Sequence, residues 1–394
     1  MSLYLDAAAT DAARPEVLEA MWPYLTREFG NPSSRHHLGL SAARALTEAR
    51  ERVAAIFGVR AGDIVFTSGG TEGNNLALRG ITLGAADPAA RVIRAETEHS
   101  SVLASAAALR RLHGVREAAV AVDSAGLITP QALAEALEPG ATLVSIAYAN
   151  NEFGSVQDIA ALSALARESG ARMHTDAVQA AGWLPLNMRE LGVDSATVSG
   201  HKVGTPKGIG ALYIRGRVPL EPLHYGGGQE RGSRSGTQNV AGAVGLARAL
   251  ELAEAERVEA SARLAVLREE LISRILAEVP GSVLTGHRTR RLPAHASFLF
   301  EGTAGEAVLL ELERSSILCS SGSACAAGST EPSPALLALG VDSGLAQTAV
   351  RLSLPRSFGV ADSVRIVAAV RHAVETLRGA FPGRAARPAA GEGE

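Results

Sequence analysis

Ile64-Val-Phe-Thr-Ser-Gly-Gly-Thr-Glu-Gly-Asn-Asn75 reads as a short β-strand that runs into two glycines and then into a helical pattern. Glycines without side chains let a backbone come close to a bound group, and the first turn of a helix presents unpaired amides and the positive end of its dipole. The stretch is therefore a candidate seat for a phosphate, with Gly70 at the turn and the Thr71 hydroxyl as an added donor. An ordinary strand-to-helix turn suits the same residues. Two nucleotide motifs are excluded, because no glycine trio has the G-x-G-x-x-G spacing and neither lysine follows a glycine as a Walker A loop requires.

Outward from this turn, short β-rich runs alternate with helical patterns across residues 60–215, the pattern of an α/β domain with a mostly parallel sheet. The runs at 63–67, 91–95, 117–122, 142–147, 172–175, 195–199 and 210–214 are predicted strands. Apolar positions three and four apart predict helices over 101–112, 130–137 and 156–168, with Gly114, Gly140 and Gly170 near their ends. After Gly226-Gly-Gly228 a long helix is predicted over 240–278. Strands near 295–300 and 349–354, with helices near 305–314 and 360–378, form a smaller α+β layer. The expected division is a large domain over 15–258, a small domain from 1–14 and 259–380, and a flexible tail over 381–394, whose composition is too poor in large apolar groups to order itself.

Composition narrows the function. The chain of 394 residues is 46% apolar and 20% charged, with a formal net charge of −3. Its acidic and basic side chains are mixed along the whole length, which argues against nucleic acid or a membrane surface as a partner. No apolar run approaches the roughly 18–20 residues of a membrane span, and Asp6 stands where a signal peptide would be apolar, so a cytoplasmic location is expected. Two cysteines, Cys319 and Cys325, are too few for a disulfide framework, and no cysteine or histidine cluster has zinc-site spacing.

Lysine usage carries more information than the averages. Of 38 basic residues only Lys202 and Lys207 are lysines, and both lie in His201-Lys-Val-Gly-Thr-Pro-Lys-Gly208. An amine that can lose its proton can form a Schiff base, which a guanidinium cannot. Two further strand ends point the same way: Met173-His-Thr-Asp176, with Gln179 just beyond, and Thr197-Val-Ser-Gly-His-Lys202. Ligands of open α/β sheets gather at the carboxyl ends of strands. An aspartate there can pair with a protonated pyridine nitrogen, although a lone acid at a strand end is more often a cap or turn former. His99, in Glu98-His-Ser100, follows another strand and could lie against a cofactor ring. Cys325 sits among small polar residues in Leu318-Cys-Ser-Ser-Gly-Ser-Ala-Cys-Ala-Ala-Gly328, as a nucleophile that moves would, whereas Cys319 borders an apolar run and is expected to join the core.

These pieces occur in one order with Gly30-Asn-Pro-Ser-Ser34, His37, Thr67-Ser-Gly-Gly-Thr-Glu72, Thr97-Glu-His99, Asn150-Asn-Glu152, His174-Thr-Asp-Ala-Val-Gln179, Arg234-Ser-Gly-Thr237 and Arg351-Leu-Ser353. So ordered, the sequence resembles the cysteine desulfurases of the IscS and NifS type, within the class V aminotransferases of fold type I. The resemblance implies a large, mostly parallel mixed sheet flanked by helices plus a smaller α+β domain, and pyridoxal 5'-phosphate as cofactor. It implies that Lys202 binds the cofactor aldehyde, that Asp176 faces the pyridine nitrogen and Gln179 the ring hydroxyl, and that His99 stacks on the ring. Gly70, Thr71, Ser199 and His201 would hold the phosphate, joined by Thr237 from the other subunit of a homodimer. Asn151 and Arg351 would grip L-cysteine, the arginine through its carboxylate. Cys325 would take the sulfur as a persulfide, leaving alanine, and pass it to an iron–sulfur scaffold or a tRNA-thiolation or other sulfur-carrier protein. No resident metal is implied, Cys325 being at most a transient cluster ligand.

The sequence departs from the family pattern at Asp11, Ala12, Gly73, Asn74 and Thr205, none of which is expected to touch a proposed catalytic atom. Two rival readings stay open at this level: another enzyme of the superfamily, an aminotransferase or a selenocysteine lyase, and a non-catalytic sulfur carrier on the same fold.

Overall fold

Residues 2–322 and 331–380 are described by the computed structural model of the chain, so Cys325 and the tail expected to be flexible lie outside the described residues. The strands are β1 (Leu3–Tyr4), β2 (Ile64–Thr67), β3 (Arg91–Ala95), β4 (Arg116–Val120), β5 (Leu143–Ser145), β6 (Arg172–Asp176), β7 (Ser195–Ser199), β8 (Gly210–Ile214), β9 (Ser282–Leu284), β10 (His295–Phe300), β11 (Ile317–Leu318) and β12 (Ala349–Ser353).

Seven of them form one sheet in the order β2-β8-β7-β6-β5-β3-β4. β8 runs antiparallel to both its neighbours, and the other pairs are parallel. β12, β10 and β9 make a separate antiparallel sheet, and β1 pairs in parallel with β11. The central strands β5 to β8 are buried along their length apart from Arg172, as expected for a sheet covered on both faces.

Two large cores result. One gathers the helix His37–Phe57, the sheet and residues 240–250; the other gathers residues 264–275, the small sheet and the helix Val360–Ala380. The helix Val240–Glu278, about 58 Å long at 1.5 Å per residue, serves the first core with its amino-terminal third and the second with its carboxyl-terminal part.

The predicted elements at 91–95, 195–199, 210–214, 240–278 and 305–314 have the observed bounds. The strand expected at 117–122 lies at Arg116–Val120. The helix expected from residue 156 begins at Ile159, because Asp158 caps it by accepting from the Ala161 amide at 3.1 Å.

Candidate active site

The carboxyl ends of β6 and β7 and the turn after β2 converge. Gly69 has φ 157° and ψ −171°, a region essentially reserved for glycine. It lies against Gly210 on β8, where a Cβ would come within 2.8 Å of the Gly69 Cα. A Cβ on Gly69 itself would meet only the Ser199 hydroxyl, at 3.6 Å, so the turn and the end of β7 face one space. From Gly70 the chain enters a helix with no side-chain cap on its first amides.

Asp176 ends β6 and is buried. Its Oδ1 accepts from the Val178 amide at 2.9 Å and its Oδ2 from Asn74 Nδ2 at 2.7 Å. Thus Asn74, one of the positions expected to touch no proposed catalytic atom, is in direct contact with Asp176. Glycine at 73 explains how: a Cβ there would sit 2.6 Å from Thr197 Cγ2, so only glycine lets the helix come this near to β7 and bring Asn74 to Asp176. His174, two residues earlier, is a neutral brace between strands: Nδ1 lies 2.9 Å from Ser145 Oγ and Nε2 3.1 Å from Thr197 Oγ1, and burial holds its pKa down at about 3.

Lys202 closes the short turn Gly200–Lys202 that follows β7. Its Nζ donates to the carbonyls of Ala8 and Ala9, the latter at 2.6 Å, and Gln179 Nε2 donates to Ala8 O at 3.0 Å. The N-terminal segment thereby closes over the lysine, and the Ala8 amide is held by Ser353 Oγ at 3.0 Å. A cavity beside Lys202 is lined by Ala8, Val178, Gln179, Trp183, His295 and Leu354. His201 Nδ1 lies 3.1 Å from Thr10 Oγ1, and burial followed by the charges of Lys202 and Lys207 lowers its pKa to about 4. Lys207 is exposed. Thr205 fits the lysine loop: it is buried, its hydroxyl donates to Pro206 O at 2.8 Å and its amide to Gly200 O at 3.1 Å.

His99 caps the helix Ser100–His113, accepting from the Ser101 amide at 3.1 Å. Glu98 beside it is buried; Oε1 accepts from the Ala147 amide at 2.7 Å, and Oε2 has no partner among the described residues. Burial, with a contribution from the Asp176 charge, raises its pKa to about 8.

Arg351, on β12, is 1% exposed. Nη2 pairs with Asp6 Oδ1 at 2.6 Å, Nη1 donates to Asn151 O at 2.9 Å and Gly322 O at 3.0 Å, and Nε has no partner among the described residues. Asn151 meets the arginine through its carbonyl. Glu152 accepts from Ser333 Oγ at 2.5 Å, and burial raises its pKa against the opposing effects of Ser333 and Arg351. Residues 322 and 333, on either side of the segment that carries Cys325, are thus both tied to the Asn150-Asn-Glu152 turn. Cys319 packs against the small-domain core, and burial raises its pKa to about 12.

Of the candidate residues, Gly70, Asp176, Gln179, Ser199, His201, Lys202 and His99 gather in this region, with Asn151 and Arg351 alongside. Thr71 is exposed at its rim. Thr237 is exposed in a loop held by the Arg234–Glu72 ion pair at 2.8 Å. Sequence reading missed Asn74, Ser101, Asp6 and the carbonyls of Ala8 and Ala9; the quoted turn contains Asn74, but its contact with Asp176 spans 102 residues of chain.

A family model described as aminotransferase class-V matches residues 3–362. The cysteine desulfurase IscS of Dictyoglomus turgidum is 42% identical over 352 residues, covering 89% of this chain and 89% of that protein. A solved NifS-like protein superposes with a TM-score of 0.89 at 34% identity, covering 96% of this chain and all of the other. A structure of SspA in complex with cysteine gives a TM-score of 0.79 at 33% identity over 90% of this chain and 99% of that one.

Proposed function

The chain belongs to the class-V aminotransferase family and, within it, to the cysteine desulfurases of the IscS and NifS type, and from that premise we propose which of its own residues carry the reaction. Cysteine desulfurases of this family use pyridoxal 5'-phosphate. The residues present fit that group. The Gly69–Gly70 turn is a cradle free of side chains facing Ser199, a buried carboxylate stands at Asp176, an amine stands at Lys202, and the Oδ1 atom of Asn74 is buried without a partner among the described residues. Gly70, Thr71, Ser199 and His201 would hold the phosphate, Lys202 the aldehyde carbon, Asp176 the ring nitrogen and Gln179 the ring hydroxyl, with His99 against the ring face.

When bound, the cofactor supplies a ring that withdraws electrons from the carbon next to the substrate amine. Asp176 would hold the ring nitrogen in its protonated form. Lys202, which would hold the cofactor's aldehyde carbon, would also take the proton from the cysteine α-carbon through Nζ. Asn151 and Arg351 orient the substrate, the guanidinium exchanging Asp6 for the substrate carboxylate. Cys325 as thiolate attacks the substrate sulfur: an S–S bond forms, the substrate Cβ–S bond breaks with its electron pair kept on carbon, and a proton added there together with the return of the α-proton from Lys202 gives alanine. Cys325 suits this role because Cys319, the other thiol, is held protonated by burial. A complex of the similar SspA with cysteine supports cysteine as the substrate.

The division into a large domain, 15–258, and a small domain, 1–14 with 259–380, is supported by the two separate cores. A homodimer is supported by the exposed Leu18, Trp22 and Leu25, which share one face of the helix Pro15–Thr26, and by exposed Phe29 beyond it. Thr237 would then reach the partner's phosphate site. The persulfide would be delivered in the cytoplasm to an iron–sulfur scaffold or a tRNA-thiolation or sulfur-carrier protein. No described helix is long and apolar enough to cross a membrane.

The observation that carries the reading is that, of the two lysines, the one at the strand-end cluster with Asp176 is Lys202. The purified protein should be yellow; Lys202→Ala should lose the visible band and all desulfuration, whereas Lys207→Ala keeps both. Cys325→Ser should keep the colour and lose sulfide release with alanine formation. Full activity in Cys325→Ser would rule out the persulfide step and leave the aminotransferase or selenocysteine lyase reading.

A further inference from the structure

Behind Asp176, side chains from two helices and the strand end meet out of solvent. Asn74, 1% exposed, donates through Nδ2 to Asp176 Oδ2 at 2.7 Å and to Ser101 Oγ at 2.9 Å. Ser101 Oγ lies 2.8 Å from His99 Nδ1, and the Ser101 amide donates to that same nitrogen at 3.1 Å. The direction of every bond follows by elimination. A carboxylate only accepts, so the amide nitrogen of Asn74 must face Asp176. A backbone N–H only donates, so His99 Nδ1 carries no proton. The Ser101 hydroxyl accepts from Asn74 and gives its single hydrogen to His99. A neutral His99 therefore has its proton on Nε2.

We infer that Asn74 is a positioning residue whose one amide group fixes the orientation of the Asp176 carboxylate and, by orienting the Ser101 hydroxyl, supplies His99 Nδ1 with a second donor beside the Ser101 amide. The inference rests on the assignment of Asp176 and His99 to the cofactor site. With the Val178 amide on Oδ1 and Asn74 on Oδ2, the carboxylate is held at both oxygens and its plane is set. The Oδ1 atom of Asn74 is left buried without a partner among the described residues, whereas a side chain kept for packing alone would be expected to be apolar or fully paired. The arrangement keeps two donors at the expense of one acceptor. It links the group that faces the ring nitrogen to the group beside the ring, so a change at either end is felt at the other.

The test uses the full-chain holoenzyme with Asn74→Leu, which keeps the volume and removes the donor, together with Ser101→Ala and Ser101→Thr. In protein labelled with 15N at histidine, the His99 signals, identified by their loss in His99→Gln, should show an unprotonated Nδ1 and a protonated Nε2. Ser101→Ala, which keeps the Ser101 amide on Nδ1 but removes the hydroxyl donor, should keep the tautomer and shift the Nδ1 signal, and Ser101→Thr should restore the wild-type shift. In Asn74→Leu the midpoint of the cofactor's visible pH titration should rise by about one unit, because a ring less firmly protonated withdraws less charge from the nitrogen of Lys202. The kcat of that variant should fall by about tenfold with the KM for cysteine nearly unchanged. Wild-type 15N signals in Ser101→Ala together with an unmoved midpoint in Asn74→Leu would overturn the inference. If Asn74→Leu does not fold, the two Ser101 variants decide alone. An Asp176→Ala protein with an unchanged titration would instead remove the assignment of Asp176, while the His99 signals would still report on the network.

Discussion

At the β2 edge of the large sheet Glu230 is buried with both oxygens paired, whereas at the carboxyl edge Glu98 is buried with one oxygen paired and the other without a partner among the described residues. Arg50 meets Glu230 with two nitrogens at 2.6 and 2.7 Å, and the Phe66 amide and Gln238 add bonds at 3.0 and 3.1 Å. Burial alone would raise the Glu230 pKa, but Arg50 and the other donors bring it below the ordinary value. These bonds also hold Glu230 and Arg231 at φ 49° and 58°, a left-handed backbone that costs free energy away from glycine. Among the described residues no comparable cation faces Glu98; Arg94 opposes the burial only as the smallest influence, and the pKa goes up. Full pairing marks the corner whose work is to anchor the 229–239 loop. Partial pairing marks the edge where the cofactor is proposed to bind, with Asn74 Oδ1 and Arg351 Nε as further atoms without a partner among the described residues.

The largest effect should come from breaking the paired corner. Arg50→Met leaves Glu230 buried without its counter-charge and should cost about 3–5 kcal/mol in unfolding free energy, measured by urea denaturation. Adding Glu230→Leu to it should recover most of the loss, because two apolar side chains replace the ion pair at similar volume. A single variant that loses less than about 1 kcal/mol would show the pair to be no more than a surface salt bridge and erase the contrast with Glu98.

An effect of opposite sign in pH is expected at Glu98. Its folded pKa, about 8, lies above the ordinary value of 4.5, so between those two pH values the folded chain keeps a proton that the unfolded chain has released. Stability contributed by this group is therefore complete at acidic pH and declines as pH rises through the window, by up to about 1.4 kcal/mol per unit. Glu230, with its pKa lowered, does the reverse: its contribution is present above the unfolded carboxylate pKa and is lost as pH falls through the folded one. Glu98→Gln should flatten the decline between pH 5 and 8 in a series of denaturation midpoints, while Glu230→Gln should leave that interval unchanged and lose stability throughout. An identical slope in wild type and Glu98→Gln would mean that the buried carboxyl is ionised and that the two corners are alike.

The two corners differed just as much in how far they could be read from sequence. Strand-to-helix turns, periodicity and the scarcity of lysine located β2, β6 and β7 and placed Lys202 and Asp176 at strand ends, because those signals are local. Asn74 lay inside the deciding stretch, yet its role depends on the packing of Gly73 against Thr197, which only the folded sheet supplies. Asp6 and Arg351 pair across 345 residues, and Arg50 and Glu230 across 180, distances over which no periodicity extends. The resemblance implied a carboxylate grip for Arg351, whereas its pairing with Asp6 was not legible.

Cys319 provides the mildest test of the idea that an acid buried without a cation stays protonated and silent. Burial, assisted by Asp6 and opposed by Arg351, places its pKa at about 12. At pH 8 only about one such thiol in ten thousand would be ionised, and the thiolate is the form that reacts. Iodoacetamide at pH 8 should therefore label the folded chain on the peptide containing Cys325 and reach Cys319 only after denaturation, as read by mass spectrometry. Cys319→Ala should leave sulfide release within about twofold and cost about 1 kcal/mol from lost packing. Labelling of Cys319 at a rate comparable to Cys325 in the folded protein would place a reactive thiolate beside Arg351, and burial without a paired cation would then no longer distinguish the silent acids of this molecule from the working ones.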